Sequence, residues 1–319
     1  MKNLLIWSVN CLLLLAGALV HAADQRQEID EIRQVSPNER IAINVMRGEV
    51  TITPSDSGEF SVSGLLDELA EGYELRSNNG FTRFEVEMPR NINVRRNRQG
   101  SDLQITVPVG SSVEYRSVSG ALHISGISGG VKLHSVNGDI EATGLSDAVE
   151  ISTVNGGIRS SGNSGRISLG TVNGEIVDRQ SRGRLRISAI NGVIRTESTP
   201  AEAELTVVNG RISANLHGTT DLKLSSVNGN VALILTGSPS PRITGSTVSG
   251  GIELSVDTDT SAHFSLRNSA GGRISNALTE DEPVRDTYGP ARRLQFKTGQ
   301  GAGAVELTSV SGRLELRAN

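Results

Sequence analysis

Short runs in which apolar and polar residues alternate recur along the chain, and from Val118 to Val208 they repeat every 18 residues around a three-residue signature. The signature is a β-branched residue, then Asn or Ser, then Gly: Val118-Ser119-Gly120, Val136-Asn137-Gly138, Val154-Asn155-Gly156, Val172-Asn173-Gly174, Ile190-Asn191-Gly192 and Val208-Asn209-Gly210. One copy follows a residue late, Val227-Asn228-Gly229, and looser ones stand at Val248-Ser249-Gly250 and Val310-Ser311-Gly312. Taking the first signature residue as position zero, positions minus five and minus three are apolar, as in Val131 and Leu133, Val149 and Ile151, or Ile167 and Leu169. That is the period of two expected of a strand with one buried face. Position plus four is apolar again, as in Ile140, Ile158, Ile176, Ile194 and Ile212. Each unit is therefore predicted to be a strand, a tight Asn-Gly turn and a second strand, with Asn and Gly supplying the positive φ of the turn.

Two architectures fit. In an antiparallel meander the Asn-Gly pairs would be two-residue hairpin loops. In a β-solenoid each unit is one coil, paired in parallel with the coils above and below. The constant period favours the second, since stacked coils lose register when one changes length whereas meander loops vary freely. The predicted fold class is thus all-β, a single-chain parallel β-solenoid or β-helix with 18-residue coils. Its asparagines Asn137, Asn155, Asn173, Asn191, Asn209 and Asn228 would form one structural column, amide bonded to amide. Opposite charges at position minus four, such as Lys132 and Glu150, and at plus five, Glu141 and Arg159, would form solvated charge ladders.

Three segments lie off this period. Met1, Lys2 and the apolar run Leu4 to Val20, followed by His21-Ala22, have the form of a signal peptide over residues 1–22. Residues 23–112 alternate like strands but irregularly, punctuated by Pro54, Pro89 and Pro108, and are expected to form the first coils and an N-terminal β cap. The solenoid then occupies 113–319, interrupted by a Pro- and charge-rich loop at about 279–293.

Composition narrows the function. Thirty-six glycines and 3% aromatics describe many turns and thin cores, and a formal net charge of −4 gives no bulk attraction to nucleic acid. Signal removal would take away the single cysteine, Cys11, so packing and backbone pairing must hold the mature chain together.

Arg33-Gln34-Val35-Ser36-Pro37, Arg40 to Ile43, Arg47-Gly48-Glu49-Val50-Thr51-Ile52 and Leu103 to Pro108, leading into the Val-Asn-Gly repeats, resemble the bacterial putative adhesin family of exported β-strand-repeat proteins of unknown function. The resemblance covers nearly the whole mature chain and implies a β-helix-like exported domain. It brings no catalytic or ligand-binding residues with it.

The search for chemistry mostly ends in exclusions. The residues after the signature glycine are Asp139, Gly157, Glu175, Val193, Arg211 and Asn230, which build no repeated oxygen cage for calcium. His123, His134, His217 and His263 are out of phase or distant, so no metal or cofactor is expected. Gly126-Ile127-Ser128-Gly129-Gly130 matches a nucleophile-elbow formula but lacks its strand-to-helix setting. A polysaccharide-active β-helix enzyme would want paired carboxylates and aromatic platforms, and no Phe, Tyr or Trp occurs between Arg116 and His263. One patch, Arg90, Arg95, Arg96 and Arg98, could hold anionic groups of a surface polymer, although a charged strand edge explains it more simply. The reading is a non-enzymatic exported module of the cell envelope, adhesin-like or structural, with soluble periplasm as the default location. The alternative is a periplasmic scaffold or envelope-stress component acting through a protein partner.

Overall fold

The computed structural model describes residues 26–90 and 99–319. Among them every regular element is a β-strand, and the strands join into one continuous sheet wound on itself in a solenoid-like stack. Residues 1–25, with the expected signal peptide, lie outside the described residues.

Through the repeats, strands pair in parallel with a register that advances by one signature at each step. Val131–Asn137 pairs with Ala148–Asn155, setting Leu133 opposite Ile151 and Asn137 opposite Asn155. On the other wing of each rung Ile140–Thr143 pairs with Ile158–Ser161, setting Ile140 opposite Ile158, which is in turn opposite Ile176. Positions minus five, minus three and plus four point inward in every rung, so Val149, Ile151 and Ile158 are buried and covered by their counterparts above and below. This stacking supplies what one rung lacks, a partner for each edge and a lid for each thin core.

The Asn-Gly corner differs from the expected turn. No signature asparagine has positive φ, and Gly138, Gly156, Gly174 and Gly192 lack it too; strand geometry continues through the corner in the long element Ser164–His217. Glycine is required there because the backbones of successive rungs almost touch. A Cβ on Gly174 would collide with the carbonyl oxygen of Gly156, and one on Gly192 with that of Gly174. Gly120, Gly210 and Gly250 do take positive φ, but the cause common to the whole column is close backbone approach.

Both ends of the stack depart from chain order. Arg40–Asn44 and Arg47–Ser55 sit between Phe81–Glu87 with Ser101–Pro108 on one side and Ser112–Ser125 on the other, in parallel with both. At the other end Gly303–Ser309 and Arg313–Ala318 lie between Arg242–Ser249 with Gly251–Val256 and the pair Ala262–Asn268 with Ile274–Asn276. At each end, then, a segment distant in sequence separates two rungs that follow one another in the chain. The glycine column records the same order, Gly120 crowding Gly48 and Gly272 crowding Gly312. Outside these inserted rungs the pairing turns antiparallel: Glu59–Leu65 on Ser101–Pro108, and Arg292–Lys297 on Ala262–Asn268. The 279–293 region contributes the edge strand Val284–Arg285, whose hairpin presents Tyr288 97% exposed at its tip.

Candidate functional site

The signature corner builds a long outward-facing surface. Each asparagine amide donates to the side-chain oxygen of the one before it: Asn155 Nδ2 to Asn137 Oδ1 at 2.9 Å, Asn173 to Asn155 at 2.9 Å and Asn191 to Asn173 at 3.0 Å. The series continues from Asn209 to Asn191 at 2.9 Å and from Asn228 to Asn209 at 3.2 Å. All six amides are thereby joined in one line of hydrogen bonds on the surface.

Beside that line runs an apolar stripe that the sequence pattern alone leaves unassigned. Val118, Val136, Val154, Ile190, Val227, Val248 and Val310 are 39–46% exposed, Val172 and Val208 are partly exposed, and Met46 occupies the equivalent place on the N-terminal inserted rung. Strand pairing skips this position, with Thr153 opposite Thr171 and Asn155 opposite Asn173 but no bridge at Val154, so the side chain swings outward at the corner. At about 4.8 Å per rung the stripe is roughly 40 Å long. Periodicity could have located it, since a β-branched residue at every position zero is otherwise unexplained once positions minus one and minus three are found to fill the core.

Two residues before each stripe member lies a column of small or hydrogen-bonding side chains: His134, Ser152, Gly170, Ser188, Thr206, Ser225, Ser246 and Thr308. Between Arg116 and Ile190 this column and the stripe enclose a shallow groove of about 570 Å³. His134 Nδ1 is bonded to Ser152 Oγ, and burial, reinforced by nearby Lys132, lowers the imidazole pKa, so this ring is neutral near neutral pH. Beneath the corner Tyr115 is fully buried with no hydrogen-bond partner for its hydroxyl, and burial pushes its phenol up to about 12. A groove with an apolar wall and a hydroxyl floor, charged only at its Arg116 end, can hold a linear chain by contact and hydrogen bonds.

Paired charges line the flanking columns. Lys132 meets Glu150 at 3.5 Å, Arg186 meets Glu204 at 3.5 Å and Arg184 meets Glu202 at 2.7 Å. Arg159 pairs with Asp139 at 3.6 Å instead of the expected Glu141, whose carboxylate faces His123 at 3.1 Å. Of the arginine patch, Arg90 is exposed, while Arg95, Arg96 and Arg98 lie outside the described residues. Among the described residues no group of three His, Cys, Asp or Glu is placed to hold a metal ion, and no helix is long and apolar enough to cross a membrane.

One functional-looking acid is instead structural. Asp178 is completely buried and accepts hydrogen bonds from Ser160 and Ser198, both at 2.7 Å, Ser181 at 2.5 Å and Thr196 at 3.0 Å. Four hydroxyl donors saturate its two oxygens, leaving none for a substrate.

The family described as Toastrack DUF4097 matches residues 38–277. None of the curated proteins matches the sequence. Among solved structures, the chain is similar to a "putative cell adhesion protein" from Clostridium sporogenes ATCC 15579, at 9% identity and a TM-score of 0.21, over 92% of this chain and 100% of that one. It is also similar to a "putative adhesin" from Bacteroides fragilis NCTC 9343, at 11% identity and a TM-score of 0.27, over 91% of this chain and 97% of that one.

Proposed function

Since the chain belongs to the Toastrack DUF4097 family, we propose that it is a non-enzymatic binding or structural module, exported to the cell envelope and adhesin-like in holding an extended ligand along one corner of its stack. On this reading the repeats from 113 onward are 18-residue parallel coils and residues 23–112 cap their N-terminal end. The asparagine line is structural, since each amide between its two ends spends a donor and an acceptor on its neighbours and so keeps the corner straight.

The observation that carries the proposal is the exposed Val and Ile stripe beside a hydroxyl column. A monomer has no folding reason to leave a file of β-branched side chains exposed, seven of them at 39–46%, and an extended exposed apolar surface marks a site of interaction. Replacing Val136, Val154 and Ile190 together with Ser tests it. The triple variant is expected to melt like the wild type, because these residues lie outside the core, and to lose most of its retention on purified cell-envelope polysaccharide. Unchanged retention would remove the stripe from the function. Retention of one specific envelope protein, lost in the variant, would favour the scaffold reading.

A further inference from the structure

The outermost C-terminal strands set basic residues opposite one another. In the antiparallel pairing of Ala262–Asn268 with Arg292–Lys297, His263 stands directly opposite Lys297 and Arg267 directly opposite Arg293. Between the two pairs Ser265 faces Gln295. One strand further out, Arg285 faces Arg292. Phe264 and Leu266 are buried, so the alternating residues His263, Ser265 and Arg267 share the outward face with Lys297, Gln295 and Arg293. Like charges directly opposite one another across a ladder destabilise it. Like-charge oppositions occur elsewhere in the chain too, as at Arg76 opposite Arg83 and Glu202 opposite Asp221, so what marks this corner is the gathering of arginines beside a cavity.

Two acids temper this face. Asp286 holds Arg293 through Nε at 2.8 Å and Nη2 at 2.6 Å, and Glu306 lies beside Ser265 on the neighbouring parallel strand. Among the described residues Arg267, Arg292 and Lys297 make no ion pair. A polar cavity of about 220 Å³ opens here, lined by Ser265, Arg267, Asp286, Arg292, Arg293 and Gln295 together with Leu266. Arg267 also continues the hydroxyl column of the candidate groove, since it is the cross-strand partner of Thr308.

We propose that this cavity is a phosphate-binding cradle in which Arg267 and Arg293 grip one phosphate group, assisted by the Gln295 amide and the Ser265 hydroxyl. Two guanidinium forks, an amide and a hydroxyl offer more donors than the two oxygens of a carboxylate accept, whereas a phosphate presents enough oxygens for all of them. Asp286 occupies one edge of the Arg293 guanidinium and competes with the phosphate for it. Lys297 lies farther along the same face, where a second phosphate of the same chain would reach it. The cradle goes beyond the groove proposed above and stands without it.

Titration calorimetry with inorganic pyrophosphate tests the cradle alone. The wild type is expected to bind it, with affinity falling as salt rises, and Arg267→Gln to bind at least about tenfold more weakly, the loss of one charge-assisted contact. Because Arg267→Gln relieves a like-charge opposition, the variant is expected to melt at the same or a higher temperature. Asp286→Asn, which frees the Arg293 fork, is expected to bind more tightly. Absence of pyrophosphate binding in the wild type, equal binding by Arg267→Gln, or a lower melting temperature in that variant overturns the proposal. Vesicles of phosphatidylglycerol, with phosphatidylcholine as the control, identify the source of the phosphate. Sedimentation with the anionic vesicles that pyrophosphate does not displace would replace the soluble phosphate group with a membrane surface and overturn the cradle as stated. The groove variant carrying Ser at 136, 154 and 190 is expected to bind pyrophosphate normally, so the two proposals fail separately.

Discussion

Asp178 shows how a residue read in isolation misleads. Flanked by Val177 and Arg179, it has the look of a solvated surface acid. Its place in the repeat says otherwise: the equivalent positions are Ser160 and Ala142, one and two rungs earlier, both buried. A hydroxyl on a neighbouring rung was the available hint, and it becomes informative only once rungs are known to stack. The carboxylate takes four hydroxyl hydrogen bonds, and Asn163 extends the network by donating to Ser160 Oγ at 2.9 Å while accepting from the Leu145 N–H at 2.7 Å. Asp178→Ala would strand four buried hydroxyls, and hydrogen bonds to a charged group are worth about 1.5–3 kcal/mol each, so a loss of roughly 3 kcal/mol or more is expected in chemical denaturation. Asp178→Asn keeps the shape and one acceptor oxygen and should lose less. Equal stability of the alanine variant would mean that water replaces the carboxylate without penalty.

At the scale of the repeated strands, the sequence pattern carried most of the fold. The period-two positions filled the core, the asparagines came into a single line, and the apolar residue at plus four closed the second wing. What it could not carry was the reason for the glycine, because a left-handed turn and a tight backbone approach select the same residue. The two causes separate in a pair of substitutions. Gly162 has a φ of +64° and open space around its Cβ position, so Gly162→Ala should cost about 1–2 kcal/mol from backbone strain alone. Gly174 lacks positive φ, but an added methyl would run into Gly156. Gly174→Ala must therefore push two rungs apart, disturbing the adjacent Asn155 to Asn173 hydrogen bond, and is expected to be the more damaging of the two in thermal unfolding. The reverse order would return the corner to the turn that the dipeptide first suggested.

For the whole molecule, chain order and stacking order differ at both ends, and no local pattern could reveal it. The one visible trace was a gap: residues 251–309 contain no Val-Asn-Gly signature, and the next copy, Val310-Ser311-Gly312, lies directly on Val248-Ser249-Gly250. The C-terminal rung buries Val305, Leu307, Leu314 and Leu316 and serves as the paired neighbour of strands on both sides. In a stack built in chain order, removing the last rung would shorten the molecule and leave the rest intact. Here deletion of residues 303–319 should empty a slot within the stack, exposing the parallel edges of Arg242–Ser249 and Ala262–Asn268 at once. Such edges recruit strands from other chains. Hydrogen exchange should therefore show lost protection across both segments, with the repeats before about residue 217 still protected, and the shortened chain should associate at concentrations where the full chain does not. Supplying the missing segment as a peptide should restore protection, because the slot pairs it on two sides. Lost protection confined to residues 262–276 would instead describe a simple frayed end, and the interleaving would then contribute nothing to the stability of the inner rungs.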